Sequence, residues 1–414
     1  MILRRLNLSV YNGGNTVDGT ASSRTSPENA MNSMRSTKAL RYAKRLIGFD
    51  STSHLSNRAI AKYLEMKLTK HGFVVEVVEY EDDNKQRKVN LVAKKGKGTG
   101  GLAYFGHSDV VPAERWFTDK FTPFEPAIAR ERLYGRGSCD MKGSISCMLA
   151  AAQLVSWDDL KQPFYFCITA DEEVGFHGAH CVAEQSKLYR EMVDGKTKAI
   201  IGEPTLLEIV HAHKGSIEMI AKSKGKSGHS STHAHDNANL AMIPFLTEMK
   251  AIFDETESDD KWRNELFDPP TLSLNILVKD NSPARNITPS RSVVTVYLRS
   301  MPAIDHEPIL QRAAEVAQAN GIRLKVMRQA EPFFVDPSSK FVEEMLKIVH
   351  KKRPRTVSYG TDGGVFSEIE EKIVCGPGSI EQAHTSNEWI SLEQLQRGTD
   401  IYEKMIRRWC CQDV

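Results

Sequence analysis

Three short apolar runs in this chain break off into loops that carry a histidine or a carboxylate, and this recurrence restricts its folds more than any other feature. Residues 102–105 run into Gly106-His107-Ser-Asp109, residues 164–169 into Asp171-Glu172-Glu173, and residues 198–201 into Gly202-Glu203-Pro204. Continuous apolar runs of that length, bounded by turn residues, read as strands buried on both faces. A helical pattern over 142–155 lies between the first two. Strands alternating with helices predict an α/β domain with a largely parallel sheet. In such sheets functional residues collect beyond the carboxyl ends of the strands. The acids and the histidine are therefore expected along one edge.

The rest of the chain fits around that domain. Residues 36–47 and 57–70 read as amphipathic helices, and 73–80 and 89–93 as strands. From about Lys214 the texture changes: strands over 216–223, 272–278 and 292–298 are interleaved with helices over 238–253 and 307–320. This order predicts a small α+β unit, about the length of a separate domain. A helix over 339–351 and a strand over 372–375 then restore the α/β texture. The expected organisation is an α/β domain over 36–212 and 329–414, with an inserted unit over 213–328. Two domains also suit 414 residues, too many for one ordinary core. Residues 1–35 are rich in Ser, Asn, Thr and Arg without apolar periodicity, and lack the apolar core of a secretory signal. They are expected to be a disordered extension, with Met31 or Met34 as the functional start; a transit peptide is the other reading.

Charge and cysteine content narrow the chemistry. Lys plus Arg number 55 against 53 Asp plus Glu, and no basic run dominates. That balance provides no electrostatic case for nucleic acid or an anionic membrane. The longest apolar runs, such as 146–155, are too short to span a bilayer. The substrate is expected to be small. The seven cysteines are odd in number and include no Cys-x-x-Cys pair, which argues against a disulfide framework or a thiolate zinc site and for a reducing cytoplasm. Any metal would have to be held by His, Asp and Glu.

Each candidate motif has a plain reading beside the chemical one. In His107-Ser-Asp109, alternate residues of a strand share a face, so Asp109 can orient the imidazole; a lone His-x-Asp is otherwise an ordinary loop pair. Asp140 lies within Gly135-Arg-Gly-Ser-Cys-Asp140-Met-Lys-Gly143, where glycines let the backbone turn to aim one carboxylate; it could equally cap the following helix. Glu172 and Glu173 are adjacent like charges, which require a nearby cation or a shared proton; they could also form a solvated acidic turn. Glu203 and His384 add a carboxylate and a second imidazole. Together these are two histidines and three carboxylates with a spare glutamate, the donor set that a two-metal hydrolytic site needs.

As a set, Gly106-His-Ser-Asp109, Gly135-Arg-Gly-Ser-Cys-Asp140-Met-Lys-Gly, Asp171-Glu-Glu-Val-Gly and Gly202-Glu-Pro-Thr resemble the M20 metallopeptidase family in order and spacing, from about Ser36 to the end. The resemblance implies a zinc-peptidase-like catalytic domain with two Zn²⁺ ions, for which Co²⁺ can substitute. His107 and Glu203 would hold one ion, Glu173 and His384 the other, with Asp140 bridging and Asp109 orienting His107. Glu172 would be the general base, and a cis peptide would follow Asp140. The inserted unit resembles the family's ferredoxin-like lid and dimerisation domain, implying a homodimer. Gly228-His229-Ser-Ser matches the lid histidine that meets the reaction oxyanion; composition alone makes His229 an exposed loop residue beside His233 and His235. Arg285-Asn286-Ile-Thr-Pro and Leu298-Arg299 resemble the lid segment that meets substrate, although Arg299 could also end its strand in a surface ion pair. The resemblance extends substrate contacts to Gly360, Thr361 and Gly378. The segment Cys375-Gly-Pro-Gly-Ser-Ile-Glu-Gln-Ala-His384-Thr-Ser-Asn-Glu388 is similar to the acetylornithine deacetylase branch, which acts on a small N-acyl amino acid; desuccinylases, other deacylases and carboxypeptidases share the chemistry. Asp362 stands where some members of that branch carry Glu.

Overall fold

In the computed structural model, residues 38–114, 116, 121–232 and 236–412 are described; the expected extension over 1–35 lies outside them, as do His233 and His235. The strands are β1 (Val74–Glu81), β2 (Arg87–Lys95), β3 (Leu102–His107), β4 (Ala127–Ala129), β5 (Arg132–Tyr134), β6 (Phe164–Thr169), β7 (Lys198–Ile201) and β8 (Val210–His213), then β9 (Ser216–Lys224), β10 (Asn275–Asp280), β11 (Arg291–Leu298) and β12 (Arg323–Ala330), and finally β13 (Phe333–Phe334), β14 (Arg355–Val357), β15 (Lys372–Val374) and β16 (Trp389–Ser391). The helices are α1 (38–47), α2 (Arg58–Lys70), α3 (Lys142–Ala152), α4 (His177–Gln185), α5 (Lys187–Asp194), α6 (Ala238–Ser258), α7 (Glu307–Ala319), α8 (Lys340–Val349) and α9 (Leu392–Cys410).

The apolar runs form the centre of a nine-stranded sheet ordered β1-β2-β6-β3-β7-β15-β8-β13, with β14 beside β8. Every residue of β3 and β6 is buried. The pairs β6–β3, β3–β7 and β7–β15 are parallel, whereas β1–β2, β2–β6 and β8–β13 are antiparallel. The sheet is thus mixed: β14 also runs parallel to β8, whereas β15 and β8 are antiparallel. Helix α3 is buried at all eleven positions, and its small residues let it pack between the sheet and α9. Ser391 caps α9 by accepting from the Gln394 N–H at 3.0 Å.

The second sheet runs β10-β11-β9-β12, and every pair is antiparallel. In chain order the unit is strand, helix, two strands, helix, strand, and α6 and α7 cover one face. That is the ferredoxin-like arrangement. It has its own core, in which Met219, Phe245, Met249, Val294 and Leu298 are packed. A third, three-stranded sheet, β16-β5-β4, had no signal in the sequence because strands of three residues are too short to show periodicity.

Candidate active site

Strand β3 still pairs with Thr169 of β6 at its last residue, His107, so the imidazole is held at the sheet's carboxyl edge. Nδ1 of His107 lies 3.0 Å from the Asp109 carbonyl oxygen and 3.5 Å from Oδ1 of its carboxylate. The Asp109 carboxylate also accepts from Ser53 Oγ at 2.8 Å and from the backbone N–H groups of Glu172 and Glu173 at 3.2 and 3.3 Å. One carboxylate therefore aligns the histidine and the acidic loop together. That loop enters through a left-handed Asp171 with φ of 56°. Asp171 turns away from the site, accepting from Lys88 Nζ at 2.6 Å and Tyr80 Oη at 2.7 Å. Glu172 and Glu173 are left facing the cavity.

The five histidines and carboxylates suggested by the motifs converge. His107 Nε2 is 3.2 Å from Asp140 Oδ1 and 3.7 Å from Glu203 Oε1. His384 Nε2 is 2.9 Å from Glu173 Oε2 and 3.3 Å from Asp140 Oδ2. Asp140 thus stands between two imidazole–carboxylate pairs, and the Asp140-Met141 peptide bond is cis.

So many acids in a buried site disturb one another's protons. Burial, reinforced by the Asp140 charge, raises Glu173 to about 7 and raises Glu203 well above the usual carboxylate range. Burial likewise raises Glu172, partly offset by His107. For Asp140 the hydrogen bonds with His107 and His384 outweigh burial and lower its pKa. His384 is pushed up to about 10 by its hydrogen bonds with Asp140 and Glu173. Burial opposes charge on His107, but Glu203, Asp109 and Asp140 overcome it and raise its pKa.

These residues fit a divalent cation. One atom each from His107, Asp140 and Glu173 lie within 4.8 Å of one another. Glu173 Oε1 is buried and has no hydrogen-bond partner among the described residues, a costly state for a carboxylate oxygen unless a cation meets it. Imidazole nitrogen and carboxylate oxygen are donors suited to zinc and its neighbours. Cys139 is not one of them, because its thiol donates to the Ser379 carbonyl at 3.2 Å.

A cavity of about 310 Å³ opens beside these groups. Among the residues suggested as substrate contacts, Arg299 and Gly360 line it. The Arg299 guanidinium stacks 4.9 Å from the Tyr297 ring centroid and has no carboxylate partner among the described residues, so the alternative surface ion pair is not formed. Thr361 and Gly378 do not line it: Thr361 Oγ1 is 3.0 Å from His213 Nε2, and Gly378, with φ of 92°, packs on Cys139. His229 and Asn286 do not line this cavity. They are neighbours in an exposed part of the ferredoxin-like unit, where the Ser230 N–H donates to the Asn286 carbonyl at 3.0 Å. Asp362 is buried beneath the site, accepting from Thr169 Oγ1 at 2.6 Å, so its departure from Glu does not alter the cavity lining. Tyr359, Gln329, Phe176 and Ile380 line the cavity without having been singled out. Ile380 lies inside the 375–388 segment, whereas nothing near Gln329 distinguished it. A larger cavity of about 460 Å³ shares Val174 with this one, but the donor group within metal-binding reach lies at the smaller, where the chemistry is therefore placed.

The sequence profile of peptidase family M20/M25/M40 matches residues 103–408. An acetylornithine deacetylase from Myxococcus xanthus is 32% identical over 380 residues, covering 88% of this chain and 96% of its own. An M20 family metallo-carboxypeptidase from Sulfolobus solfataricus has the same fold, with a TM-score of 0.71, 17% identity and coverage of 90% and 99%. A dinuclear metal binding peptidase of the M20 family from Bacillus subtilis superposes with a TM-score of 0.58 at 14% identity, over 90% and 98% of the two chains.

Proposed function

The chain belongs to peptidase family M20/M25/M40 and is a hydrolase of amide bonds, and on that premise we propose that it removes the acetyl group from N-acetyl-L-ornithine, a step of arginine biosynthesis. The observation that carries this reading is the placement of Asp140 between His107 with Glu203 and Glu173 with His384, beside a cavity faced by Glu172 and Arg299. The acetyl-ornithine assignment rests on likeness to the Myxococcus deacetylase over nearly its whole length.

In this proposal His107, Glu203, Asp140, Glu173 and His384 would hold two zinc ions. When bound, the ions would supply Lewis acidity to the amide carbonyl and make a water molecule more acidic. Glu172 removes a proton from the attacking water, whose oxygen bonds to the acetyl carbon. It then returns that proton to the ornithine nitrogen as the carbon–nitrogen bond breaks, giving acetate and ornithine. Its burial suits both duties, since a raised pKa makes the carboxylate a better proton acceptor before it passes the proton on. Arg299, free of other carboxylates, pairs with the substrate carboxylate. Gly360 gives the substrate close approach to the backbone at the cavity wall.

His229 does not line the cavity of its own chain, so its contact with the tetrahedral oxygen requires closure of the ferredoxin-like unit or a second copy. We place a homodimer contact on that unit, where Leu240 and Ile243 of α6 and Leu277 and Val278 of β10 are exposed. Among the described residues no helix is long and apolar enough to cross a membrane.

The test is hydrolysis of N-acetyl-ornithine, N-acetyl-methionine, N-succinyl-diaminopimelate and a dipeptide by zinc- or cobalt-loaded protein, beside Glu172→Gln. The expected result is turnover of N-acetyl-ornithine that falls roughly 10²- to 10⁴-fold in the variant without loss of bound metal. Turnover of the succinyl compound or dipeptide alone would overturn the substrate assignment. A variant as active as the parent would remove Glu172 from the chemistry.

A further inference from the structure

Glu388 lies four residues beyond His384, and its side chain is wholly buried. A carboxylate taken out of water needs several donors to offset its lost hydration. Its Oε1 accepts from the backbone N–H groups of Cys139 at 2.7 Å and Asp140 at 3.0 Å. Its Oε2 accepts from the Gly137 N–H and from Arg136 Nη1, each at 2.9 Å. The Glu388 backbone carbonyl accepts from the Gly135 N–H at 3.1 Å. All of these donors belong to the short segment that delivers Asp140.

That segment has left-handed glycines at Gly135 (φ 151°) and Gly137 (φ 79°), a path in which consecutive N–H groups point inward to one spot. The Glu388 carboxylate occupies that spot. The same stretch of chain carries His384, whose imidazole meets the far oxygen of Asp140 at 3.3 Å. One side chain thus ties together two loops that are distant in sequence and that each provide a metal-facing group.

We infer that Glu388 is a positioning residue that sets Asp140 in register with His384 for the ions proposed above, an inference that rests on that metal reading. Glutamine at this position keeps the size but turns one acceptor oxygen into an NH₂ group facing N–H donors. The Asp140 loop would then shift or lose its anchor. Residues that orient metal ligands in this way typically contribute about 10- to 100-fold in metal affinity.

The experiment compares full-length wild type, Glu388→Gln and Arg136→Gln. It measures zinc affinity by competition with a chromophoric chelator, the visible absorption of the cobalt-loaded proteins, and folding of the metal-free forms by circular dichroism. Glu388→Gln is expected to fold, to bind zinc about 10- to 100-fold more weakly and to show altered cobalt bands. Arg136→Gln leaves the three backbone donors in place and should shift both readouts in the same direction by less; it carries the test if Glu388→Gln does not fold. A folded variant of either kind with wild-type zinc affinity and cobalt spectrum would overturn the inference. Wild-type protein that binds neither metal would instead sink the metal reading, and the role of Glu388 with it.

Discussion

Arg299 brings a cation to a cavity otherwise dominated by carboxylates, and its contact with the Tyr297 ring holds it without neutralising it. A charge-assisted hydrogen bond to a substrate carboxylate contributes about 1.5–3 kcal/mol. Arg299→Met is therefore predicted to raise KM for N-acetyl-ornithine roughly 10- to 100-fold while kcat changes little, as steady-state kinetics would show. A variant with unchanged KM would remove Arg299 from substrate binding. The residues around it show how far motif reading extends. His107, Asp140, Glu173, Glu203 and His384 were singled out because their motifs, each ordinary alone, resemble one family in order and spacing when taken as a set. Gln329 was not, because it sits in an ordinary strand and reaches the cavity only through the way β12 crosses it.

Elements carry the next part of the argument. Gly202 follows β7 directly before Glu203, and a Cβ there would collide with Tyr104 Oη and Ser144 Oγ. Those hydroxyls belong to a buried chain in which Tyr104, Ser144 and Tyr402 are linked by 2.8 Å hydrogen bonds and Tyr402 donates to the Cys375 carbonyl. The chain joins β3, α3 and α9, so the strand cannot give way without disturbing all three. Gly202→Ala is predicted to cost about 1–3 kcal/mol in urea unfolding and to weaken zinc binding by moving Glu203. Wild-type stability would show that the neighbouring side chains can repack. The glycine in this motif was visible in the sequence, but its cause was not, since the hydroxyls it abuts come from elements far away in the chain. Most of the longer helices and strands followed periodicity, with α6 running on to Ser258, past the expected end at 253 and through Pro244, whereas α4, α5 and β12 were not anticipated. The antiparallel flanks of the sheet had no comparable signal, because direction depends on how connections cross rather than on which residues are apolar.

For the molecule as a whole, the proposed ions would join β3, the Asp140 loop, the acidic loop, β7 and the carboxyl-terminal loop. Anything bound by the folded state alone stabilises it, by about 2.7 kcal/mol when free ligand is 100-fold above its dissociation constant. Stripping metal with a chelator is predicted to lower the melting temperature by several degrees, and added zinc should restore it, as calorimetry would show. A melting temperature indifferent to both would contradict a metal centre spanning these loops.

By itself the sequence determined the α/β fold class and pointed to an inserted α+β unit and to the histidines and carboxylates that converge, because periodicity and short motifs are local and survive in one dimension. The tertiary structure decided the rest. Asp171 turns to Lys88; Thr361, Gly378, His229 and Asn286 stand outside the cavity lining; and Glu388 gathers the loop that holds Asp140. Each of these depends on which distant groups meet, and burial gives such meetings their energy only once the chain has closed around them.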